Sequence, residues 1–203
     1  MFTHEFRAAC RLLPLLIAVT AQTAAAQPAP RGTAPPPPAV RQTAPGRIAG
    51  VQNYTPVDAT IACAGAVSPS SMQAIKAAGF NSIVNLRTAN EEGPNLSAAR
   101  AAAAAAGLAY VHIPLSPADP KPASVDQFLG VAADRRKYPM LLHCASGGRA
   151  SMLWAIKRVM VDGWTVGKAM AEVPSLSAGM RPSIRAFGLE YLKNRGKTVS
   201  EGL

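Results

Sequence analysis

The residues from 143 to 151, His143-Cys144-Ala145-Ser146-Gly147-Gly148-Arg149-Ala150-Ser151, set a thiol, a guanidinium and hydroxyls around a run of small side chains. Small residues let successive backbone N–H groups turn toward one point, and a helix start just behind them adds positive potential. Arg149 can grip two oxygens of a tetrahedral anion at once. The same field favours the thiolate of Cys144, so a nucleophile and an anion cradle built from Ala145, Ser146, Gly147, Gly148 and Arg149 share one loop. A buried cysteine that merely ends a strand is the plainer alternative, but packing gives no reason for Gly147-Gly148-Arg149 directly after it.

That loop needs a buried strand before it and a helix after it, and the sequence supplies both. Residues 140–143 (MLLH) read as a short buried strand and 149–160 as the following helix. Upstream, 60–64 (TIACA) is a candidate first strand. Ser68 and Pro69 open a helix through Ala78 that stops at Gly79. Residues 80–86 (FNSIVNL) and 108–113 (LAYVHI) read as strands, and 95–106 as an alanine-rich helix closed by Gly107. A capped amphipathic helix is expected over 124–137, with two more around 165–172 and 182–194. Strands alternating with helices predict an α/β fold with a mainly parallel central sheet flanked by helices. Ligands of such sheets sit beyond the carboxyl ends of the strands, where Cys144 falls.

The loop resembles the signature HCxxGxxR, followed by Ser or Thr, of Cys-dependent tyrosine and dual-specificity phosphatases. With GAVSPSSMQAIKAAGF, FNSIVNLRTANEE, YVHIPL and HCASGGRASMLWA taken together, residues 50–160 look like the phosphatase-like domain of beta-lactamase hydrolase-like proteins. The resemblance implies a dual-specificity-phosphatase-like fold and hydrolysis of phosphate monoesters through a cysteinyl-phosphate. Cys144 would be the nucleophile and Arg149 the phosphate clamp. His143 would orient the loop and support the thiolate, and Ser151 would help the thiolate leave. One departure matters: four residues separate Cys144 from Arg149 where tyrosine phosphatases have five, so Ala150 stands where their arginine would. The shorter spacing is that of rhodanese-type sulfurtransferases, which makes thiosulfate or persulfide sulfur transfer through the same cysteine the alternative activity. A non-catalytic anion-binding module is a third. Against sulfur transfer, the chain has no segment of the rhodanese Gly-His-Ile-Pro-Gly-Ala kind.

A phosphatase needs an acid for the leaving oxygen. Asp119, in the turn SPADPK after the strand 108–113, is the first candidate. Asp126 is the second, although a place in the first turn of a helix already accounts for it. Glu91 and Glu92 fall near the same sheet edge, where Arg87 either adds positive charge or pairs with one of them. Cys63 is either an ordinary core cysteine or a disulfide partner for Cys144. His112 reads as a strand histidine. No Cys/His spacing suggests a metal, and no cofactor is expected.

The remainder of the chain sets the address. The 203 residues allow one core-forming domain plus extensions. Arg7 and Arg11 precede an apolar run at 12–21, too short to span a bilayer, and Ala24-Ala25-Ala26 supplies a cleavage site. This predicts a secretory signal peptide over 1–26, a Pro/Ala-rich disordered linker over 27–47 and a single phosphatase-like domain over 48–203 in the periplasm or outside the cell. A net charge of +10 suits a phosphorylated substrate, protein or small molecule. Without interleaved aromatics no nucleic-acid partner is expected, nor stable membrane insertion after cleavage, and the chain is expected to be a monomer. The basic residues Lys157, Arg158, Lys168, Arg181, Arg185, Lys193, Arg195 and Lys197 read as solvated helix faces.

Overall fold

The computed structural model describes residues 46–91, 95–176 and 179–200, all within the compact unit Pro36–Leu203. The expected signal peptide and all of the expected linker except Gly46 and Arg47 lie outside the described residues.

Four short apolar runs pair as a parallel sheet, in the order β2 (Ile61–Ala64), β5 (Met140–His143), β3 (Ser82–Asn85) and β4 (Ala109–His112). Every residue of β2, β3 and β5 is buried, which is why they read as unbroken runs rather than as an alternation. β1 (Thr55–Pro56) adds an antiparallel edge to β2. The sequence reading missed it, because two residues carry no period and a proline is tolerated at such an edge.

Helices cover both faces. α1 (Met72–Ala77) and α2 (Leu96–Ala105) close one side over Ala62, Ala64, Ile83 and Leu141. In the alanine run, Ala99 and Ala103 face inward one turn apart, and Asn95 caps the helix by accepting the Ala98 N–H at 2.9 Å. On the other side α3 (Pro122–Ala133), α4 (Gly148–Met160), α5 (Val166–Leu176) and α6 (Pro182–Lys193) enclose the larger core of Ile61, Cys63, Val84, Leu142, Phe128 and Trp154. None of the described helices is long and apolar enough to cross a membrane.

Three helices differ from expectation, the first because a separate 3-10 turn, Pro69–Ser71, capped by Ser68, precedes α1. α3 starts at Pro122, because proline suits the first helical position, and Ser124 instead donates its hydroxyl to the Pro114 carbonyl at 2.8 Å. It ends at Ala133. Asp134 then accepts the Arg136 N–H and starts a separate 3-10 turn, Arg135–Lys137. α5 runs to Leu176, four residues past the expected end.

Candidate active site

β5 delivers the loop. Its strand pleat turns His143 and Cys144 to opposite faces of the sheet. Cys144 joins the larger core and is 1% exposed. His143, 3% exposed, lies beside Asn85 and Tyr110 on the α1–α2 side. Burial lowers the His143 pKa to about 4, so the ring is neutral at neutral pH.

The first half of the loop is strapped to the chain around β2. The Cys144 N–H donates to the Ala64 carbonyl at 3.2 Å, the Ala66 N–H to Ala145 at 3.0 Å, and Asn53 Nδ2 to the Ser146 carbonyl at 3.0 Å. Gly65 permits this closeness, since a Cβ there would stand 3.0 Å from the Ala145 oxygen. The second half turns through Gly147 at φ 106°, a left-handed conformation that favours glycine. That turn aims the Gly147 N–H at Cys144 Sγ, 3.1 Å away, and α4 begins one residue later. The Ser151 hydroxyl donates to the Gly147 carbonyl at 3.0 Å, linking Ser151 to the residue whose N–H meets Cys144.

Arg149 is 5% exposed and held from three directions. Its Nη1 and Nη2 meet the two oxygens of Glu91 at 2.6 and 2.7 Å, and Nη1 also donates to the carbonyls of Leu115 at 2.9 Å and Leu86 at 3.2 Å. Burial raises the Glu91 pKa, but bonds from Arg149 and from the Thr88 N–H outweigh it and hold the carboxyl down to about 2. Desolvation disfavours the Arg149 cation, yet Glu91 and the neighbouring Cys144 sulfur raise its pKa above the ordinary arginine value. Arg87 Nε lies 3.5 Å from the same carboxylate, as the pairing alternative expected. Glu92 lies outside the described residues.

Ala145, Ser146, Gly148 and Arg149 wall a cavity of about 250 Å³, closed by Glu91, Pro117, Arg181 and Ile184. Asp119 is at the same sheet end but not in that wall. Its side chain is 70% exposed and pairs with Lys121 at 2.7 Å. Asp126 is elsewhere, accepting from Tyr191 at 2.6 Å and Arg195 at 2.7 Å. His112 Nε2 donates to the Arg87 carbonyl at 2.7 Å. Cys63 is fully buried beside Leu142, and both it and Cys144 are free thiols. Sequence reading brought out the loop but not the Glu91–Arg149 pair, whose partners are 58 positions apart with no local pattern joining them.

Residues 53–161 match the model of the phosphatase-like domain of beta-lactamase hydrolase-like protein. The chain belongs to that family. Two beta-lactamase hydrolase-like proteins from strains of Xylella fastidiosa are each 40% identical over 87 residues, covering 42% of this chain and 20% of theirs. The chain thus aligns with about a fifth of the length of these curated relatives. In structure the phosphatase-like domain is similar to a candidate phosphatase of Shewanella putrefaciens, with a TM-score of 0.59 at 19% identity over 71% of this chain and 94% of that one. It is also similar to TpbA of P. aeruginosa, with a TM-score of 0.54 at 19% identity over 74% and 91% of the two chains. At such identities the likeness shows the fold, and the phosphatase-like domain has the dual-specificity-phosphatase-like arrangement expected of it.

Proposed function

We propose that this protein is an exported Cys-dependent phosphatase that hydrolyses phosphate monoesters. The observation that carries the reading is the Gly147 N–H directed at Cys144 Sγ inside a loop whose arginine is locked by Glu91. A dianionic phosphate entering the cradle meets backbone N–H groups and the edge of the Arg149 guanidinium that neighbours the Cys144 sulfur. The Cys144 thiolate attacks phosphorus, an S–P bond forms, and the P–O bond to the leaving group breaks while an acid gives that oxygen a proton. Water then cleaves the S–P bond, releasing phosphate and returning the thiolate. Ser151 supports that return through Gly147. His143 holds the loop from the opposite face of the sheet. Asp119 serves as the acid once its turn brings it from Lys121 to the cavity. A structure similar to this chain, TpbA of P. aeruginosa, has been solved with phosphotyrosine, which supports a phosphorylated substrate here.

The four-residue spacing from Cys144 to Arg149 and the outward Asp119 favour a second reading. In sulfur transfer the thiolate attacks the outer sulfur of thiosulfate and sulfite leaves. Cys144 then carries a persulfide whose terminal sulfur passes to an acceptor such as cyanide, a sequence that needs no general acid. The two readings separate in one experiment on the reduced full chain, with an aryl phosphate in one assay and thiosulfate plus cyanide in the other. Phosphate release abolished by Cys144→Ser and Arg149→Ala supports the phosphatase. Thiocyanate without phosphate release replaces it with the transferase, and silence in both assays leaves an anion-binding module. Export, with cleavage before Gln27 to give a monomeric mature chain, is tested by the N-terminal mass and sedimentation of the protein recovered from the periplasm or medium.

A further inference from the structure

The basic residues of the C-terminal third divide by what they touch. Lys157 pairs with Asp162, Arg158 with Asp58, Asp162 and Glu172, and Arg195 with Asp126, while Lys168 lies over the Trp164 ring. Arg181 and Arg185 have no acidic partner among the described residues. Arg181 is the N-cap of α6, and the Arg185 N–H, one turn on, donates to its carbonyl at 3.2 Å, which keeps the two residues at the same end of the helix. Arg181 lines the same cavity as Ala145, Ser146 and Arg149, and buried Ile184 lines it too.

Two contacts fix this segment against the site. Gly148 is so close to Met180 that a Cβ would come within 3.0 Å of the Met180 Cα. The Ser183 hydroxyl donates to the Pro117 carbonyl at 3.2 Å, tying the first turn of α6 to the loop that carries Asp119. The charges around the cavity are otherwise matched: Glu91 is bound in both oxygens by Arg149, and Asp119 by Lys121. Arg181 is therefore the wall's uncompensated charge.

We propose that Arg181 and Arg185 form a second anion subsite, selecting substrates with another anionic group beyond the scissile phosphate, on the Arg181 side of the cavity. The proposal rests on the phosphoester reading for the group held by the loop, but the subsite itself requires no turnover. A simple aryl phosphate fills only the cradle. A second phosphate or a carboxylate reaches the α6 stripe, where a planar guanidinium fork matches either.

Calorimetric titration of the reduced full chain, free of divalent metal, tests this with inorganic phosphate, tripolyphosphate and a phosphotyrosyl peptide flanked by glutamates. Two charge contacts, one from exposed Arg181 and one from half-buried Arg185, together amount to roughly tenfold in affinity, so the preference for the polyanionic probe over phosphate falls by about that factor in the Arg181→Ala/Arg185→Ala variant. Arg181→Lys, which keeps the charge without the fork, retains part of it. Whichever of tripolyphosphate and the peptide loses affinity identifies the second group as phosphate or carboxylate. A preference unchanged in the double variant overturns the subsite while phosphate binding to the loop stands. Failure of the wild-type chain to bind any of the three overturns both the subsite and the phosphoester reading.

Discussion

Replacing Glu91 by glutamine leaves a guanidinium that is 5% exposed with carbonyl oxygens and a neutral amide around it. Breaking a largely buried pair from one side costs about 2–3 kcal/mol, which denaturant unfolding of Glu91→Gln will show. The same carboxyl sets an acid limit. Its folded pKa is about 2 against the ordinary 4.5, so its contribution is complete above pH 4.5 and is lost as pH falls through 2. Glu91→Gln should flatten the stability curve in that window, and an unchanged slope would remove Glu91 as its cause. The core thiol gives a chemical contrast. Burial, and then the charge of Cys144, raise the Cys63 pKa, so alkylation of the folded chain should spare Cys63 and reach it only after denaturation, as peptide mass mapping would show. Cys144 and Arg149 were legible in the sequence because their chemistry is concentrated in consecutive residues. Glu91 was seen only as an acidic residue near the edge, since its main partner stands 58 positions later in the chain, after the neighbouring strand β5.

β5 puts neighbouring residues into different halves of the molecule, and its effects should be read on both. His143 is buried and neutral, with a folded pKa of about 4 against 6.5. The unfolded chain therefore binds more protons between those values, and stability falls as pH drops from 6.5 to 4, then loses nothing further from this group. His143→Gln removes that slope, as thermal unfolding against pH would show, while Glu91→Gln leaves it in place. At the other end of the loop, Gly147→Ala forces a side chain into the left-handed region and should cost about 1–2 kcal/mol while displacing the N–H that reaches Cys144. A variant as stable as wild type would show that the turn tolerates an alanine. The elements β2, β3 and β5 were readable because runs buried on both faces are apolar throughout. β1 was not, because its two residues take their structure from the neighbour they pair with. The start of α3 was misplaced because Ser124, a residue type suited to capping, bonds across to Pro114 instead.

For the molecule as a whole, the family match begins at residue 53, but the fold begins earlier. Ile48 is 5% exposed in the smaller core, Val51 bridges Val67, and the Gln52 N–H and carbonyl bond Ala66 and Gly65. A chain starting at residue 53 should be less stable than one starting at 46 by about 2–4 kcal/mol, the scale of losing a buried isoleucine with its flanking bonds. Equal unfolding midpoints for the two would count against it. The α/β class and the sheet end carrying the site followed from alternating strands and helices. The mutual dependence of residues 48–53 and the loop at 144–149 did not, because it runs through backbone bonds by way of Gly65 and Ala66 and through one asparagine side chain 93 positions from its partner, none of which leaves a local pattern.

The position of Arg149 also bears on descent. One residue further along α4 is Ala150, fully buried in the larger core, so an arginine there would point about 100° away and into apolar packing. Shifting the guanidinium along the helix by point substitution would pass through a misfolded protein. A change between the four-residue and five-residue spacings is therefore expected to come by an insertion or deletion within the loop. Ancestral reconstruction across that divide should find the change in length at a single branch, with no arginine drifting from one helical position to the next.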